Sequence, residues 1–403
     1  MTASLLGTLG DLQLAEDTLQ DAVERALVDW NHHGMPDAPA AWLLTTARRK
    51  AIDSIRRSAR FARMQPALVQ AIELELSQAS TQPDDIAQAS IPDKRLELMF
   101  TCAHPALDKK TRVALTLRTL GGLSTEEIAR AFVDKPAAMA QRLVRARHKI
   151  TAAGIAYEVP DAPRLSERLD GVLSVVYLIF NEGYASTRGH SVTRQNLCDE
   201  AIRLARILSG LMPQCTEVTG LLALMLLHDS RRESRSSDTG AFIPLERQNR
   251  KQWNTVKKAE GIALLKQALA MGVAGPYQLQ AAISAVHAEA ADWLSTDWTQ
   301  IVALYEELHR RAPSPVVRLN QAVAVSYAQS PEKALQSLMS VGKDAAMQHY
   351  QPYRVARSDI LWRAGQTQEA IDQLQAAIAI TESRAELEFL HAKLAKLRHS
   401  MMG

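Results

Sequence analysis

The segment Gly121–Ile150 reads GGLSTEEIARAFVDKPAAMAQRLVRARHKI and carries the stop and start signals of successive helices. Its leading glycine pair ends one helix, because glycine accepts the left-handed conformation of a C-cap. Ser124 and Glu127 form an S-x-x-E capping box, which begins a second, short helix. The turn VDKP follows, and Pro136 suits the first turn of a third helix, where no backbone N–H is needed. The segment therefore predicts a helix-turn-helix.

The third helix of this motif has an apolar face and a basic face. The face expected to point inward consists of Met139, Ala140, Leu143 and Ile150. The other face, which could offer donors to base edges and phosphates in a major groove, consists of Ala138, Gln141, Arg142, Arg145 and Lys149. Arg147 lies toward the inner face, so we expect a structural role for it. A helical hairpin with a basic surface is the alternative interpretation.

An earlier segment, Ala41–Arg60, reads AWLLTTARRKAIDSIRRSAR and separates its charges from its apolar residues. On a helical wheel the face predicted to be buried consists of Leu43, Leu44, Ala47, Ala51 and Ile55. The opposite face consists of Trp42, Thr46, Arg49, Asp53, Arg56, Arg57 and Arg60. Phosphates favour such a basic stripe through counterion release, and an aromatic ring can stack on an exposed base. A solvated helix face is the alternative.

The helix expected before it, with the sequence LAEDTLQDAVERALVDW, has the opposite charge. Its apolar stripe is predicted to be Leu19, Val23, Ala26, Leu27 and Trp30. Its exposed side is predicted to be Asp17, Gln20, Asp21 and Glu24. An acidic face repels DNA, so it indicates either a basic protein partner or simple solvation.

The composition excludes several classes of protein. The 403 residues have a net charge of only +3, so any affinity for nucleic acid must be local. Apolar residues recur every three or four positions, which predicts a nearly all-helical, soluble chain. Three widely spaced cysteines fit a reducing cytoplasm. The apolar runs VLSVVYLIF and GLLALMLL are too short to span a bilayer, so we expect no membrane contact.

Neither an enzyme nor a metal protein is indicated. Cys102 with His104, and His32 with His33, lack the paired spacing of zinc ligands. No glycine-rich phosphate loop or G-x-S-x-G motif is present. We therefore expect no catalytic residues, no cofactor and no metal.

The chain is expected to divide into four parts. Residues 1–62 form a first helical domain, 63–93 a polar linker, 94–153 the domain with the helix-turn-helix, and 165–403 a helical extension. Within the extension, GQTQEAIDQLQAAIAI resembles a tetratricopeptide unit. Stacked helix pairs of this kind present concave grooves, so a regulatory protein or peptide is a candidate partner there. A structural cap is the alternative.

Two short motifs in the extension, FNEGY and HDSRRESR, combine polar and charged residues. We expect an interdomain contact or a ligand site there, or else helix caps and solvated loop charges. The candidate residues are Asn181, Glu182, Asp229 and Arg231.

Taken together, the stretches LGDLQLAEDTLQDAVERAL, PAAWLLTTARRKAIDSIRR and LSTEEIARAF with MAQRLVRARHKI resemble regions two and four of bacterial extracytoplasmic-function (ECF) sigma factors. The extension resembles one subgroup with a long C-terminal domain, through LIFNEGY, LCDEAIRLARIL and GLLALMLLHDSRR. The resemblance implies a helical bundle for region two, a helix-turn-helix for region four and a tetratricopeptide-like C-terminal domain. The first helix of region two is expected to be largely missing.

The resemblance also implies partners and roles. The expected partner is core RNA polymerase, through its β′ clamp helices and its β flap. The residues expected to bind the β′ clamp helices are Asp17, Gln20, Asp21 and Glu24. Those expected to recognise and melt the minus-ten promoter element are Trp42, Thr46, Arg49, Asp53, Arg56, Arg57 and Arg60. Those expected to read the minus-thirty-five element are Thr125, Ala138, Gln141, Arg142, Arg145 and Lys149. The extension is expected to modulate this activity.

Two other functions remain open on the sequence. One is a helix-turn-helix regulator with a helical sensor domain, acting without core polymerase. The other is a helical-repeat scaffold whose basic faces are incidental. The acidic face distinguishes a sigma factor from such a regulator, because a regulator that acts without polymerase has no use for an acidic face.

Overall fold

A computed structural model describes residues 1–57, 95–132, 134–184, 192–235, 237, 242–381 and 384–402. Within these ranges every element of regular secondary structure is a helix, which confirms the predicted all-α class. The chain divides into two compact units, Met1–Ile179 and Phe180–Gly403. In the described part of the chain, no helix is long and apolar enough to cross a membrane.

Unit 1 begins earlier than the sequence pattern indicated. Its helices are α1 (Thr2–Leu9), α2 (Leu12–His33), α3 (Pro39–Arg57), α4 (residues 95–102), α5 (Lys109–Thr119), α6 (Thr125–Ala131), α7 (Pro136–Ala152) and the first part of α8 (Ala162–Tyr184). The short helix α1 lies ahead of the first helix that the pattern predicts, and Gly10 ends it with φ of 64°. The predicted linker, residues 63–93, lies outside the described residues.

Helix α3 packs through the face that its sequence predicts. All five residues expected to be inside are buried: Leu43, Leu44, Ala47, Ala51 and Ile55. Helix α2 departs from the expected face at two positions, although Ala26 is buried as predicted and Leu19 and Trp30 are half-buried. Val23 and Leu27 are 41% and 65% exposed, and the buried positions are Ala15, Thr18, Ala22 and Ala26. Small side chains let neighbouring helices approach closely, so the larger apolar residues of α2 remain at the surface.

Unit 2 contains the rest of α8 and a series of helices separated by short connections. These are α9 (Val192–Leu211), α10 (Thr216–Asp229), α11 (Thr255–Ala270), α12 (Pro276–Glu289), α13 (Trp298–Arg311), α14 (Pro315–Ala328), α15 (Pro331–Val341), α16 (Ala345–Gln348), α17 (Gln351–Arg363), α18 (Thr367–Ala379) and α19 (Arg384–Met402). Single 3-10 turns occur at Glu233–Arg235, Leu245–Arg247 and Arg250–Gln252.

The apolar run GLLALMLL forms the centre of unit 2, as helix α10. All its residues are buried, because α11 and α12 pack against it from different sides. Gly220 makes the close approach of α12 possible, since a Cβ there would lie 2.6 Å from the side chain of the fully buried Gln278. The apolar run is therefore a core helix.

The C-terminal helices of unit 2 pack against their neighbours in the chain. One apolar cluster joins α14, α15 and α17 around Leu338 and Ile360. A second joins α17, α18 and α19 around Leu374 and Leu390. Each cluster draws on more than one helix pair, so the pairs stabilise one another by stacking.

The three cysteines differ in accessibility. Cys102 and Cys198 are buried, and burial raises the pKa of each thiol to about 12. Cys215 is partly exposed at the N-cap of α10.

Candidate nucleic-acid interface

The acidic face of α2 is fully accessible. All four predicted polymerase-binding residues are exposed: Asp17, Gln20, Asp21 and Glu24. Side-chain hydrogen bonds along the helix join Gln13 Nε2 to Asp17 Oδ1 at 2.8 Å and Gln20 Nε2 to Glu24 Oε1 at 3.2 Å. The exposed Val23 and Leu27 lie beside these carboxylates. Exposed apolar side chains next to charges are typical of a protein-binding surface.

The predicted minus-ten residues lie on α3 and its continuation. Trp42 is half-buried and packs edge-on against Trp30 of α2, with ring centroids 5.5 Å apart. Thr46 is half-buried, and Arg49 and Asp53 are exposed. The side chains of Arg56 and Arg57, and all of Arg60, lie outside the described residues. The indole pair fixes α3 on α2, so Trp42 has a packing role in addition to its predicted contact with DNA.

The start of the helix-turn-helix has the predicted hydrogen bonds. Ser124 Oγ accepts from the Glu127 N–H at 3.1 Å, and Glu127 Oε2 accepts from the Ser124 N–H at 2.8 Å. These bonds, above all the one from the Ser124 backbone, hold the pKa of Glu127 below its ordinary value. Leu120 is the C-cap of α5, and Gly122, two residues later, takes the left-handed conformation with φ of 68°. The capping box therefore fixes where α6 begins.

The predicted minus-thirty-five residues differ in how exposed their side chains are. Gln141, Arg145 and Lys149 are exposed on α7, while Thr125 and Ala138 are half-buried. Arg145 Nε donates to the backbone oxygen of Gln141 at 3.3 Å, and Lys149 Nζ donates to that of Ala106 at 2.6 Å. Within the described ranges, no carboxylate forms an ion pair with either side chain. Both cations thus remain available to an anionic partner.

Arg142 is held inside the motif instead. It is half-buried, and its Nη2 lies 3.4 Å from Oδ2 of Asp134, which also accepts Lys110 Nζ at 3.2 Å. The hydrogen bond from Lys110 is the main reason that the pKa of Asp134 lies below its ordinary value. Arg142 therefore has a structural partner that the sequence pattern did not reveal.

The predicted inner face of α7 is confirmed at three positions, and the prediction is wrong at one. Met139, Leu143 and Ile150 are buried, whereas Ala140 is exposed. Ala146 occupies the fourth buried position, because it lies three residues after Leu143 and four before Ile150.

Arg147 turns inward, as expected, and its partner lies on α2. It donates to Gln13 Oε1 at 3.0 Å and forms an ion pair with Glu16. Only 14% of the Arg147 side chain and 19% of the Glu16 side chain are exposed. Burial outweighs the attraction of Arg147 and raises the pKa of Glu16. Within unit 1 this pair joins the acidic helix to the helix-turn-helix.

The four candidate residues of the extension separate into two groups. Asn181 and Glu182 lie half-buried near the end of α8. Asp229 is buried, and its two oxygens accept Arg232 Nε at 2.6 Å and Lys257 Nζ at 2.5 Å. Arg231 Nε instead donates to the hydroxyl of Tyr184 at 2.8 Å. The structure thus adds Tyr184 to the residues that sequence reasoning selected.

A cavity of about 310 Å³ opens among the stacked pairs of unit 2. Its walls come from α14, α17 and α19 and from Phe242, which meets Phe389 edge-on at 5.7 Å. Tyr327 and Arg363 stack at one side, with the guanidinium carbon 3.8 Å from the ring centroid. The cavity is largely apolar with two acidic residues, Asp359 and Glu386, on its wall.

Comparisons with known proteins agree with this geometry. Residues 3–61 match the model of sigma-70 region 2, residues 97–150 match that of sigma-70 region 4, and residues 168–269 match a family of unknown function, DUF6596. An uncharacterised protein of Rhizobium meliloti (strain 1021) is 40% identical over 395 residues, which cover 97% of this chain and 92% of the relative.

These matches, with the capped helix-turn-helix, define a DNA-binding protein of transcription initiation. The chain belongs to the sigma-70 family of RNA polymerase sigma factors and is an ECF-type member with a C-terminal extension. Its two sigma regions imply interaction with core RNA polymerase and promoter DNA.

Proposed function

We propose that this protein binds core RNA polymerase through the acidic face of α2 and directs it to promoters in the cytoplasm. Asp17, Asp21 and Glu24 supply exposed negative charge, and Val23 and Leu27 supply exposed apolar area beside it. A basic, partly apolar protein surface complements both features. The placement of this acidic face on the helix that packs against α3 is the observation that carries the proposal.

Promoter recognition is assigned to α3 and α7. On α3, Arg49 is exposed next to the half-buried Trp42, which suits contact with phosphates and a partly unstacked base. On α7, Gln141 and Arg145 are exposed at the positions that would face base edges, and Lys149 lies where a phosphate contact is expected. Polymerase supplies the chemistry of RNA synthesis, so the proposed role of this chain is recognition.

The extension is proposed to regulate initiation. The stacked pairs of unit 2 and the cavity beside Phe389 offer a surface to a regulatory protein or peptide.

We keep the division into residues 1–62, 63–93, 94–153 and 165–403 as part of this proposal. The pairing of Arg168 with the backbone oxygen of Phe100, at 2.8 Å, belongs to unit 1. A truncation that removes most of the extension but keeps this contact should therefore end after Ile179.

Run-off transcription with purified core polymerase tests the proposal. We expect the full chain to start transcripts at a defined site on a cognate promoter, and the Asp17→Lys/Asp21→Lys variant to fail. Truncation after Ile179 should change the amount of transcript. Absence of any transcript, together with sequence-specific binding of the chain alone to the same duplex, would instead indicate a regulator that acts without polymerase.

A further inference from the structure

Unit 2 contains a group of three arginines that form no ion pair with a carboxylate in the described part of the chain. Arg231, Arg235 and Arg250 lie in the segment that joins α10 to α11, and each is half-buried. Their neighbour Arg232, in contrast, is neutralised by ion pairs with both Asp199 and Asp229. Among the described residues, no ion pair within 4.0 Å involves Arg231, Arg235 or Arg250. The hydrogen-bond partners that the structure describes for these three cations are all uncharged.

The neutral partners hold each guanidinium in a fixed place. Arg235 stacks on the ring of Tyr184, 3.7 Å from its centroid, and donates to the Tyr184 backbone oxygen at 2.5 Å. Arg250 donates to the backbone oxygens of His287 and Ala290 at 2.6 and 2.9 Å. Side chains tied down in this way cannot move apart to relieve their repulsion. The arrangement is pre-organised before any ligand arrives.

Burial and mutual repulsion both act on the pKa values of this group. Burial, and then the charge of Arg231, lower the pKa of Arg250. Burial, with Arg231 as a further cause, also lowers the pKa of Arg235. Asp292 acts on Arg250 from outside hydrogen-bond distance, and its carboxylate accepts the N–H of Ser295 at 2.8 Å. Like charges gathered without ion-paired carboxylates are a feature of functional sites.

Two histidines complete the group. The ring of His228 stacks on Tyr184 with centroids 5.5 Å apart, and its Nε2 lies 3.0 Å from Ser284 Oγ. The ring of His287 stacks on Trp293 with centroids 6.0 Å apart. The Nδ1 atoms of both histidines are buried and have no hydrogen-bond partner. Buried polar atoms are normally paired, so these are two unused positions beside an excess of positive charge.

We propose that Arg231, Arg235 and Arg250, with His228 and His287, form a binding site for a small-molecule anion that carries a phosphate or carboxylate group. The planar guanidinium forks suit the oxygens of either group. The site lies wholly in unit 2, so it is independent of the proposed contacts with polymerase and promoter.

Thermal unfolding of the full chain tests the site with two probes, sodium phosphate and sodium succinate, each compared with sodium chloride at equal ionic strength. We expect at least one probe, at about ten times its dissociation constant, to raise the midpoint by about 2–4 °C. The probe that does so identifies the anionic group. Titration calorimetry with that probe should give a dissociation constant at least about tenfold weaker for Arg231→Gln and for Arg250→Gln.

Arg354→Gln is the matched control, because Arg354 is also half-buried and also donates to an uncharged acceptor, here the backbone oxygen of Gln348. It should keep the full response. In chloride alone, Arg231→Gln should melt no lower than the wild type, because it removes repulsion; a purely structural arginine would lower the midpoint. The proposal is overturned if neither probe raises the wild-type midpoint, or if both cluster variants respond like the wild type. Arg250→Gln alone decides the result if Arg231→Gln does not fold.

Discussion

Arg147 of α7 forms an ion pair with Glu16 of α2, 131 residues earlier in the chain. In the proposed complex with polymerase, α3 and α7 bind promoter elements about 25 base pairs apart, which corresponds to roughly 85 Å of B-DNA. A contact between two side chains cannot span that distance. In that proposed complex the ion pair is therefore broken, and we expect its strength to oppose the DNA-bound arrangement.

Replacing Arg147 with Met tests the strength of this contact. We expect the free energy of local opening of α2 and α7 to fall by about 3 kcal/mol, because the half-buried Glu16 loses its counter-charge. Hydrogen exchange measured by mass spectrometry on the full chain resolves the two helices. The double variant Arg147→Met/Glu16→Met should recover most of the protection. Unchanged exchange in the single variant would show that the pair contributes nothing.

The acidic face of α2 can be tested by reversing its charge. We expect Asp17→Lys/Asp21→Lys to abolish copurification with core polymerase, because two exposed carboxylates become cations on the proposed docking surface. Asp29→Lys is the control, since Asp29 lies on the same helix and pairs locally with Arg25 at 3.2 Å. It should leave copurification intact. Holoenzyme that forms normally with the double variant would exclude this face.

Two residues of α7 are expected to affect DNA binding differently. Arg145→Ala should cost about 1–3 kcal/mol on the cognate duplex and relax the preference for one base pair, because it removes a base contact. Lys149→Ala should weaken binding on all sequences and reduce the salt slope by about one. Fluorescence anisotropy at several salt concentrations separates the two effects. Identical sequence preference in Arg145→Ala and the wild type would contradict the assignment.

Acid sensitivity of unit 2 should depend on His287. Burial, followed by Arg231 and Arg250, lowers its pKa to about 3, so the folded protein keeps it neutral while the unfolded chain takes up a proton below about pH 6.5. The unfolded state then binds more protons, and stability falls as the pH drops from 6.5 toward 3, by at most about 1.4 kcal/mol per pH unit for this group. His287→Gln should lose less stability than the wild type between pH 7.5 and 5.5 in urea titrations. Equal losses would mean that His287 is not responsible.

Sequence periodicity predicted the local features well. The buried face of α3, the capping box at Ser124 and the inward turn of Arg147 follow from residue spacing within a single helix. Spacing could not reveal that Glu16 is the partner of Arg147, because that contact joins distant segments. Spacing also predicted that Val23 and Leu27 are buried, because a helical wheel groups the apolar residues of a helix and does not show that alanines make the contact.

The arginine group of unit 2 shows the same limit. The motif HDSRRESR indicated Asp229 and Arg231 as candidate residues. The sequence did not reveal that Arg232 pairs with the Asp229 carboxylate, while Arg231 donates to a tyrosine hydroxyl. His287 and Arg250 come from other segments altogether. Only the packing of α8, α10 and α12 brings these residues together.

The burial of two of the three thiols has a practical use. At neutral pH, Cys102 and Cys198 are almost entirely protonated, with pKa values near 12, and they are shielded from reagents. A maleimide dye should therefore attach to Cys215 alone in the native chain. One fluorophore at a known position on the extension would report on its movement during promoter opening without any engineered cysteine.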